Sequence, residues 1–368
     1  MNFYMPTLFV SKENVLQDQK ELFTQMGKKA LVVTGKNSAK VSGALDDLDK
    51  VFKELEIEYE IFDDIIPNPL MKTCVVAGRQ ARRIRADFVV GIGGGSILDS
   101  TKVIALVGAN PELTEETIYK KEWTQHPLPS VLIGLTAGTG SEVTDVSVMT
   151  NKEGLKKSIH DPILFATVAL GDPKYMESLP YGVTTSTAVD AFAHAFESYF
   201  SKKANDLSRA FSIQCIRLLW PNLVALQDKE VNLTLEQRQT LYDASILGGL
   251  AISITGTIFA HNVGYFLTEN YDVPHGFACA TFAQDVLERQ LETDPNYVQA
   301  FLEDCHITKD ELINVITSLV PDYGISLTKE QVNELLPRWD GNGTVNNTRG
   351  GMPIDKVEEV LMRKFVKD

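Results

Sequence analysis

The hydrophobic pattern changes about halfway along the chain, and this change restricts the possible folds more than any other feature. In the first half, short β-branched runs alternate with helical segments; the runs are Lys29–Gly35, Ile57–Phe62, Asp87–Ile92 and Val131–Thr136. Strands separated by helices of roughly 10–15 residues are typical of βαβ units, which build a parallel sheet. From about Gly182 onward, the sequence predicts long helices and few strands. The fold class is therefore α/β followed by all-α.

The boundary between the two halves is predicted near Gly171–Pro180, where one glycine and two prolines interrupt the pattern. We therefore predict an α/β domain at 1–178 and an all-helical domain at 179–368. The length of 368 residues is sufficient for two domains. No charged residue occurs between Asp243 and Glu269. Because this stretch contains glycines, hydroxyl side chains and a histidine, we interpret it as a buried helix rather than a membrane span.

Charge and cysteine content exclude several classes of function. The formal net charge of −14 disfavours binding to nucleic acids or anionic membranes, although it leaves room for a local basic pocket that holds one phosphate. No basic residue precedes Lys12, so the basic n-region of a signal peptide is not indicated. The four cysteines are widely spaced and form no CxxC motif; they are Cys74, Cys215, Cys279 and Cys305. We predict four reduced, mostly buried thiols.

Two glycine-rich turns follow strand-like runs in the first half. The segment Gly91–Ser96 follows a run of apolar residues and leads into the helical segment Ile97–Val107. Backbone N–H groups at such a turn and at the following helix terminus can hold a phosphate. A second turn, Ala137–Glu142, follows another strand-like run. Each turn alone could simply serve packing, but two together suggest an extended phosphate-bearing ligand such as a dinucleotide.

A metal site is indicated in the second half. Asp190 and His194 are spaced i,i+4, so they share one face of an otherwise apolar helix. A buried carboxylate and imidazole are costly unless they are hydrogen-bonded or bound to a metal. With His261 and His275 they would form an N/O ligand set suited to Fe²⁺, Zn²⁺, Mn²⁺ or Co²⁺. From the residues alone, nothing places the last two histidines beside the first pair, and hydrogen-bonded core residues remain an alternative.

Four segments together resemble the iron-containing (group III) alcohol dehydrogenases, which include propanediol and butanol dehydrogenases. The segments are GGGSILD (Gly93–Asp99), TAGTGSEVT (Thr136–Thr144), VDAFAHAFESYFS (Val189–Ser201) and HNVGYFLTENYDVPHG (His261–Gly276). The resemblance implies a Rossmann-like α/β domain and an all-helical domain, the architecture also found in dehydroquinate synthases. It further implies a cleft that holds NAD(P) and one divalent metal, Fe²⁺ or, as the alternative, Zn²⁺.

The resemblance also assigns residues, carried over position by position. The implied metal ligands and catalytic centre are Asp190, His194, His261 and His275. The implied cofactor-binding residues are Gly93, Gly94, Gly95, Ser96, Asp99, Thr136, Thr139, Ser141, Val148 and Lys157. Two positions depart from the family pattern: Tyr265 stands where some members have a further histidine, and Leu135 where many have threonine.

The function that the resemblance implies is interconversion of a small primary alcohol or diol, such as 1,3-propanediol or butanol, with its aldehyde. The expected assembly is a cytoplasmic homodimer or larger homo-oligomer. Two alternatives remain at this stage: a polyol oxidoreductase similar to glycerol dehydrogenase, and a non-catalytic ligand-binding homologue. Glycerol dehydrogenases and dehydroquinate synthases typically use three protein ligands, so four ligands favour the alcohol dehydrogenase branch.

Cofactor preference is predicted from the end of the first strand-like run. An acidic residue at such a strand end accepts hydrogen bonds from the ribose 2′-hydroxyl and repels a 2′-phosphate. Family members that prefer NAD often carry an aspartate at the position of Gly35, yet no acidic residue occurs from Lys28 to Ala44. The loop instead offers Gly35, Asn37 and Ser38, with Lys36 or Lys40 as a counter-charge. We predict NADP(H), with NAD(H) as the alternative if this loop is merely a solvated turn.

Overall fold

A computed structural model describes residues 3–367, which form two compact units. One unit comprises Phe3–Pro180 together with Leu233–Ile246. The other comprises Tyr181–Asn232 and the residues from Leu247 onward. The chain thus passes between units after Pro180, and a 233–246 segment groups with the first unit. The predicted domain limits at 178 and 179 remain a prediction.

The first unit contains the predicted parallel sheet, and the predicted fold class is confirmed. Its strands are β1 (Leu8–Ser11), β2 (Lys29–Thr34), β3 (Glu58–Phe62), β4 (Phe88–Gly93), β5 (Ser130–Gly134), β6 (Val146–Thr150), β7 (Lys156–His160) and β8 (Val168–Gly171). Its helices are α1 (Val15–Asp18), α2 (Glu21–Thr24), α3 (Ser38–Val41), α4 (Ala44–Glu54), α5 (Met71–Arg83) and α6 (Gly95–Ala109). Six strands pair in parallel in the order β1-β8-β5-β4-β2-β3, while β6 and β7 form an antiparallel hairpin.

Strand β2 shows why this sheet is covered on both faces. Its side chains alternate between two apolar cores: Leu31 and Val33 belong to one, Ala30 and Val32 to the other. Successive side chains of a strand point to opposite faces, so a strand apolar at every position is stable only between two layers. The two layers hold helices α5 and α6 on one side and α4 on the other.

The strand order also determines where a ligand can bind. Strand β2 pairs with β3 on one side and with β4 on the other, so the connections reverse direction between β2 and β4. In open parallel sheets, ligands bind outside the carboxyl ends of the strands at such a reversal. Thr34 lies opposite Ile92, and Gly93 lies opposite Gly134. The loops that follow β2, β4 and β5 therefore leave the same edge of the sheet.

The regular secondary structure of the second unit is helical, and none of the described strands lies in it. Its helices are α7 (Tyr181–Tyr199), α8 (Asp206–Ala225), α9 (Leu235–Thr255, which begins in the first unit), α10 (Phe259–Tyr271), α11 (His275–Ala280), α12 (Ala283–Thr293), α13 (Pro295–Cys305), α14 (Lys309–Leu319), α15 (Lys329–Leu335), α16 (Gly343–Asn346) and α17 (Ile354–Phe365). Within α7, every residue from Ala188 to Tyr199 is buried. A helix buried all round lies in the interior of its unit.

The charge-free stretch predicted as buried helix falls on α9 and α10. Within residues 3–367, no single helix is long and apolar enough to cross a membrane. The pair α9 and α10 passes that test only when taken together, and the two helices are bent by 111°. All four cysteines are free and buried, as predicted.

Candidate metal centre and cofactor loops

Asp190 and His194 lie one turn apart on α7, as the i,i+4 spacing predicts. Asp190 is 2% exposed and His194 is 5% exposed. The Nε2 atom of His194 lies 3.9 Å from Oδ1 of Asp190. Because α7 is the buried central helix of its unit, both polar side chains point into the interior rather than to solvent.

Two further histidines converge on the same carboxylate oxygen. His261, in the first turn of α10, places its Nε2 atom 3.8 Å from Oδ1 of Asp190. His275, the first residue of α11, places its Nε2 atom 3.9 Å from that oxygen. The structure therefore brings together all four residues predicted as metal ligands. Bonds of about 2.0–2.2 Å at tetrahedral angles would hold such donors about 3.4 Å apart, so a small contraction suffices.

The buried donor atoms of this cluster are suited to a cation. Oδ1 of Asp190 and Nε2 of His261 are buried and have no hydrogen-bond partner. Buried polar atoms are normally paired, so two orphans that face each other require an explanation. A divalent cation satisfies both, and the N/O donor set matches Fe²⁺ or Zn²⁺. The side chain of His275 is 28% exposed, which makes it the donor on the open side of the site.

Glycines allow the helices that carry these donors to approach closely. A Cβ atom at Gly276 would lie 1.9 Å from the backbone oxygen of Ser186. One at Gly264 would lie 3.1 Å from the oxygen of Ala278, and one at Gly248 would lie 3.1 Å from the oxygen of Ala191. Helices α11, α10 and α9 thus rest on neighbouring backbone with no side chain between. This contact fixes the distance between the donors.

Glu197 is a functional residue that the sequence prediction missed. It is fully buried on α7, and its carboxylate accepts a hydrogen bond from Nδ1 of His261. It also accepts bonds from the backbone N–H of Ile258 at 2.8 Å and of His261 at 3.3 Å. A proton held on Nδ1 leaves the lone pair of Nε2 free for a metal. Its spacing of seven residues from Asp190, on the same helix face, could have revealed it.

Replacing Glu197 with glutamine should weaken metal binding about 10–100-fold, because such partners orient the ligand and increase its basicity. Glutamine keeps the size of the side chain and removes the charge. Metal affinity would be measured by competition with a chromophoric chelator. Glu334→Gln, an exposed substitution in the same unit, is the matched control. Equal affinities in both variants would contradict this role for Glu197.

Ionisation in this cluster is strongly altered. Burial lowers the pKa of His261, but the Cys279 and Glu197 side chains outweigh burial and hold that pKa well above its usual value. Burial also raises the pKa of the Cys279 thiol to about 11. Both shifts favour protonated side chains, and metal ligands must be deprotonated, so metal affinity is expected to fall as pH falls.

The glycine-rich loops meet at the carboxyl edge of the sheet. Helix α6 begins at Gly95, and its N-cap residue, Gly94, has no side chain to cap the free N–H groups. A Cβ atom at Gly94 would lie 3.0 Å from Oγ1 of Thr136, and one at Gly95 would lie 2.5 Å from Cγ2 of Thr139. The glycines thus bring two of the predicted cofactor loops into contact and leave backbone amides open, as a phosphate requires.

Asp99 links these loops to the hairpin. One carboxylate oxygen accepts a 2.5 Å hydrogen bond from Ser141, and the other accepts a 2.8 Å bond from the backbone N–H of Val148. The hydroxyl of Ser147 donates a 2.8 Å hydrogen bond to the backbone oxygen of Asp99. Three residues predicted to line the cofactor site are thereby connected to one another. In this structure Asp99 positions the loops around it.

Lys102 is a second residue that the sequence prediction missed. Its ammonium group is fully buried and donates to the backbone oxygens of Thr144 at 3.0 Å and Val146 at 2.8 Å. Burial lowers its pKa, an effect that the neighbouring Asp99 carboxylate, 3.6 Å away, opposes. A lysine inside an apolar helix, three residues after Asp99, is the signal that could have revealed it.

Four other residues predicted to bind the cofactor take no part in the contacts described above for the glycine-rich loops and Asp99; they are Gly35, Asn37, Ser38 and Lys157. Gly35 follows β2, and Asn37 and Ser38 are exposed where α3 begins. Lys157 is exposed on β7, and its ammonium group lies 4.3 Å from the ring centre of Tyr119. Their roles toward a cofactor stay predictions.

Lys36, one of the two lysines predicted to offer a positive charge to the 2′-phosphate, already forms ion pairs within the protein. Its ammonium group pairs with Asp63 at 2.9 Å and with Asp64 at 2.6 Å, both just after β3. The predicted choice between Lys36 and Lys40 therefore narrows to Lys40, which is exposed. These acidic partners are distant in sequence, so the local analysis of residues 28–44 did not include them.

Comparison with known proteins agrees with this geometry. The family model for iron-containing alcohol dehydrogenase matches residues 6–173, and the model for the C-terminal part of the Fe-containing alcohol dehydrogenase family matches residues 184–324. A 1,3-propanediol dehydrogenase from Klebsiella pneumoniae is 36% identical over 276 residues, 73% of this chain and 70% of that protein. An NAD-dependent methanol dehydrogenase from Bacillus methanolicus is 31% identical over 281 residues, 75% of this chain and 72% of that protein.

A solved structure extends the similarity to nearly the whole chain. The crystal structure of an iron-containing alcohol dehydrogenase from Thermotoga maritima is 34% identical, has a TM-score of 0.89 and covers 98% of both chains. The chain belongs to the iron-containing alcohol dehydrogenase family. The resemblance inferred from its four sequence segments is confirmed.

Proposed function

We propose that this protein is a metal-dependent, NADP(H)-preferring dehydrogenase that interconverts a small primary alcohol or diol with its aldehyde. The observation that carries this proposal is the convergence of Asp190, His194, His261 and His275, with two of their buried donor atoms left without a partner. Family membership supplies the reaction class. We propose Fe²⁺ as the metal, with Zn²⁺ as the alternative.

The side chains of the metal centre have distinct parts in this proposal. A divalent metal held by the four donors would supply Lewis-acid stabilisation of the negative charge that develops on the alcohol oxygen. Asp190 contributes the one negative charge among the four donors. Glu197 keeps the proton of His261 on Nδ1, away from the metal-facing nitrogen. His275 lies on the partly exposed side, where a substrate can approach.

In this proposal, the glycine-rich loops bind the cofactor. Open backbone amides at Gly94–Ser96 would hold the pyrophosphate, and the threonines and Asp99 keep the loops around them in place. The nicotinamide supplies the hydride acceptor, and the chain's own contribution is to orient it and to exclude water. The absence of an acidic residue at Gly35 supports NADP(H), with Lys40 as the neighbouring positive charge.

Substrate size is proposed from the residues beside the exposed donor. The ring of Tyr265 stacks on that of His275 with centroids 5.4 Å apart and planes 14° apart. An aromatic wall there favours short, partly apolar alcohols. The name of the relative from Klebsiella, a 1,3-propanediol dehydrogenase, supports a diol among the substrates. A homo-oligomeric assembly and a cytoplasmic location remain predictions.

Two alternatives are tested in the same experiment. Purified protein would be stripped with a chelator, reloaded anaerobically with Fe²⁺ or Zn²⁺, and assayed with NADP⁺ or NAD⁺ on 1-propanol, 1-butanol, 1,3-propanediol and glycerol. We expect the metal-free protein to retain less than about a tenth of the rate of the reloaded protein. Such a decrease corresponds to an increase of more than ~1.4 kcal/mol in the activation free energy. Faster oxidation of glycerol than of 1,3-propanediol would favour a polyol oxidoreductase. No oxidation by fully loaded protein would favour a non-catalytic homologue.

A further inference from the structure

A short segment of the first unit, residues 116–121, makes three contacts with the β6–β7 hairpin. The segment contains one 3-10 turn, Thr117–Lys120. The contacts are an ion pair, a cation–π contact and a hydrogen bond; they join Glu116 to Lys152, Tyr119 to Lys157, and Lys121 to the backbone oxygen of His160. The segment therefore braces the hairpin both at its turn and along β7.

The other strand of this hairpin is attached to the helix that follows the glycine-rich loop. Val148 on β6 donates its backbone N–H to Asp99, which lies in the second turn of α6. Lys157 on β7 lies opposite Met149, the next residue along β6. Residues that face each other in an antiparallel pair have Cα atoms about 4.5–5.5 Å apart. The hairpin therefore holds the backbone of Lys157 near the helix terminus that we propose for the pyrophosphate.

The ring of Tyr119 is held in place by the core beneath it. It packs against the apolar core that contains the buried side chains of Met149 and Ile159. Its hydroxyl is buried without a hydrogen-bond partner, and burial raises the pKa of Tyr119 to about 12. The side chain is therefore neutral at physiological pH. The face of such a ring carries a negative potential that attracts an ammonium group.

Lys157 occupies that face of the ring. Its ammonium group lies 4.3 Å from the ring centre, well within the limit of about 6 Å for a cation–π contact. An unrestrained lysine loses side-chain entropy when it binds a ligand, and a lysine already held over a ring has less to lose. An ammonium group has three N–H donors, so a contact with one ring leaves donors for a phosphate or a ribose.

We propose that Tyr119 is a positioning residue for the cofactor, because its ring holds the Lys157 ammonium group ready to bind NADP(H). The tyrosine acts only through the lysine. This inference rests on the cofactor role predicted for Lys157 and, through it, on the proposed dehydrogenase function. It assigns the effect to the aromatic face of Tyr119 and gives the hydroxyl no part in it.

A double-mutant cycle on cofactor binding tests the inference. Affinities for NADPH and NADH would be measured from nicotinamide fluorescence in wild-type protein, Tyr119→Leu, Lys157→Met and the double variant. Tyr119→Leu should weaken NADPH binding about two- to fivefold, as expected for an exposed cation–π contact. Lys157→Met should weaken it at least as much. In the Lys157→Met background, Tyr119→Leu should have almost no further effect, because the contact is already lost.

Two ring variants separate the cation–π contact from packing. Tyr119→Phe keeps the ring and removes the unpartnered hydroxyl, so NADPH affinity should stay at the wild-type level. Tyr119→pentafluorophenylalanine keeps a ring but reverses the potential of its face, so it should lose as much affinity as Tyr119→Leu. This pair remains informative if the leucine variant does not fold. Trp123→Leu is the control, because Trp123 packs against the same core and should not affect NADPH affinity.

Three results would contradict the positioning role of Tyr119. Equal losses from Tyr119→Leu with and without Lys157 would indicate a general packing role. Wild-type affinity in the pentafluorophenylalanine variant, or tighter binding in Tyr119→Leu, would show that the ring does not prepare Lys157 for the cofactor. Unchanged affinity in Lys157→Met would remove the lysine from the cofactor site, and the inference with it. Wild-type protein that binds neither NADPH nor NADH would instead contradict the proposed function itself, so the two failures are distinguishable.

Discussion

Replacing His261 with alanine should abolish alcohol oxidation while leaving a folded protein. The change removes one of four converging donors and leaves the buried Glu197 carboxylate without the imidazole that pairs with it. We expect a loss in kcat/KM of at least about a thousandfold, equivalent to ~4 kcal/mol in transition-state stabilisation. The measurement is steady-state oxidation of a primary alcohol by protein reconstituted with metal, with circular dichroism as the check on folding.

The histidine control lies outside the metal centre. His126 is exposed, and His126→Ala removes an imidazole without affecting the four donors. It should retain wild-type turnover and bind one metal per chain. A His261→Ala protein that keeps more than about a tenth of the wild-type rate, with metal still required, would remove His261 from the ligand set.

Introducing aspartate at position 35 should move cofactor preference from NADP(H) towards NAD(H). The new carboxylate would accept hydrogen bonds from the ribose hydroxyls of NAD and repel the 2′-phosphate of NADP. A Cβ atom there meets nothing nearer than the backbone oxygen of Ile65 at 3.5 Å, so the substitution fits sterically. One charged hydrogen bond contributes ~1.5–3 kcal/mol, so the ratio of kcat/KM values should shift about 10–100-fold.

A matched charge elsewhere in the same segment separates this local effect from net charge. Val41→Asp adds the same charge at a side chain that is 68% exposed on α3. We expect it to leave the ratio of kcat/KM for the two cofactors nearly unchanged. Wild-type protein that uses NAD as well as or better than NADP would refute the proposed preference. Because Lys36 already pairs with two aspartates, Lys40→Ala is the better variant for testing whether a positive charge in this loop favours NADP.

The sequence predicts the sheet where its strands are long and apolar. Strands β2 and β4 stand out because every residue or nearly every residue is buried between helical layers. The four-residue strands β1 and β8 were missed, because a run of that length shows no periodicity and its pairing depends on distant partners. The hairpin strand β7 was missed because its residues are mostly polar and exposed.

The site was predictable only in part, for a similar reason. Asp190 and His194 follow from spacing on one helix, whereas the position of His261 and His275 beside them came from resemblance. Glu197 shares the helix face of Asp190, but a glutamate alone carries no local signal that its partner is a histidine 64 residues away. Cys279 was predicted only as a buried thiol, because the spacing of the cysteines does not reveal that its sulfur lies beside the ring of His275.

The glycine contacts between helices affect how this protein tolerates mutation. Where Gly276, Gly264 and Gly248 meet neighbouring backbone, no rotamer change can alter the separation of the helices. The spacing of the donors is thus encoded in main-chain contacts, whereas rings such as those of Phe192 and Phe196, stacked with centroids 5.4 Å apart, add side-chain packing to the same unit. Substitutions among those rings should lower the melting temperature and leave metal affinity intact. Natural drift can therefore retune thermal stability while the chemistry of the centre stays constant.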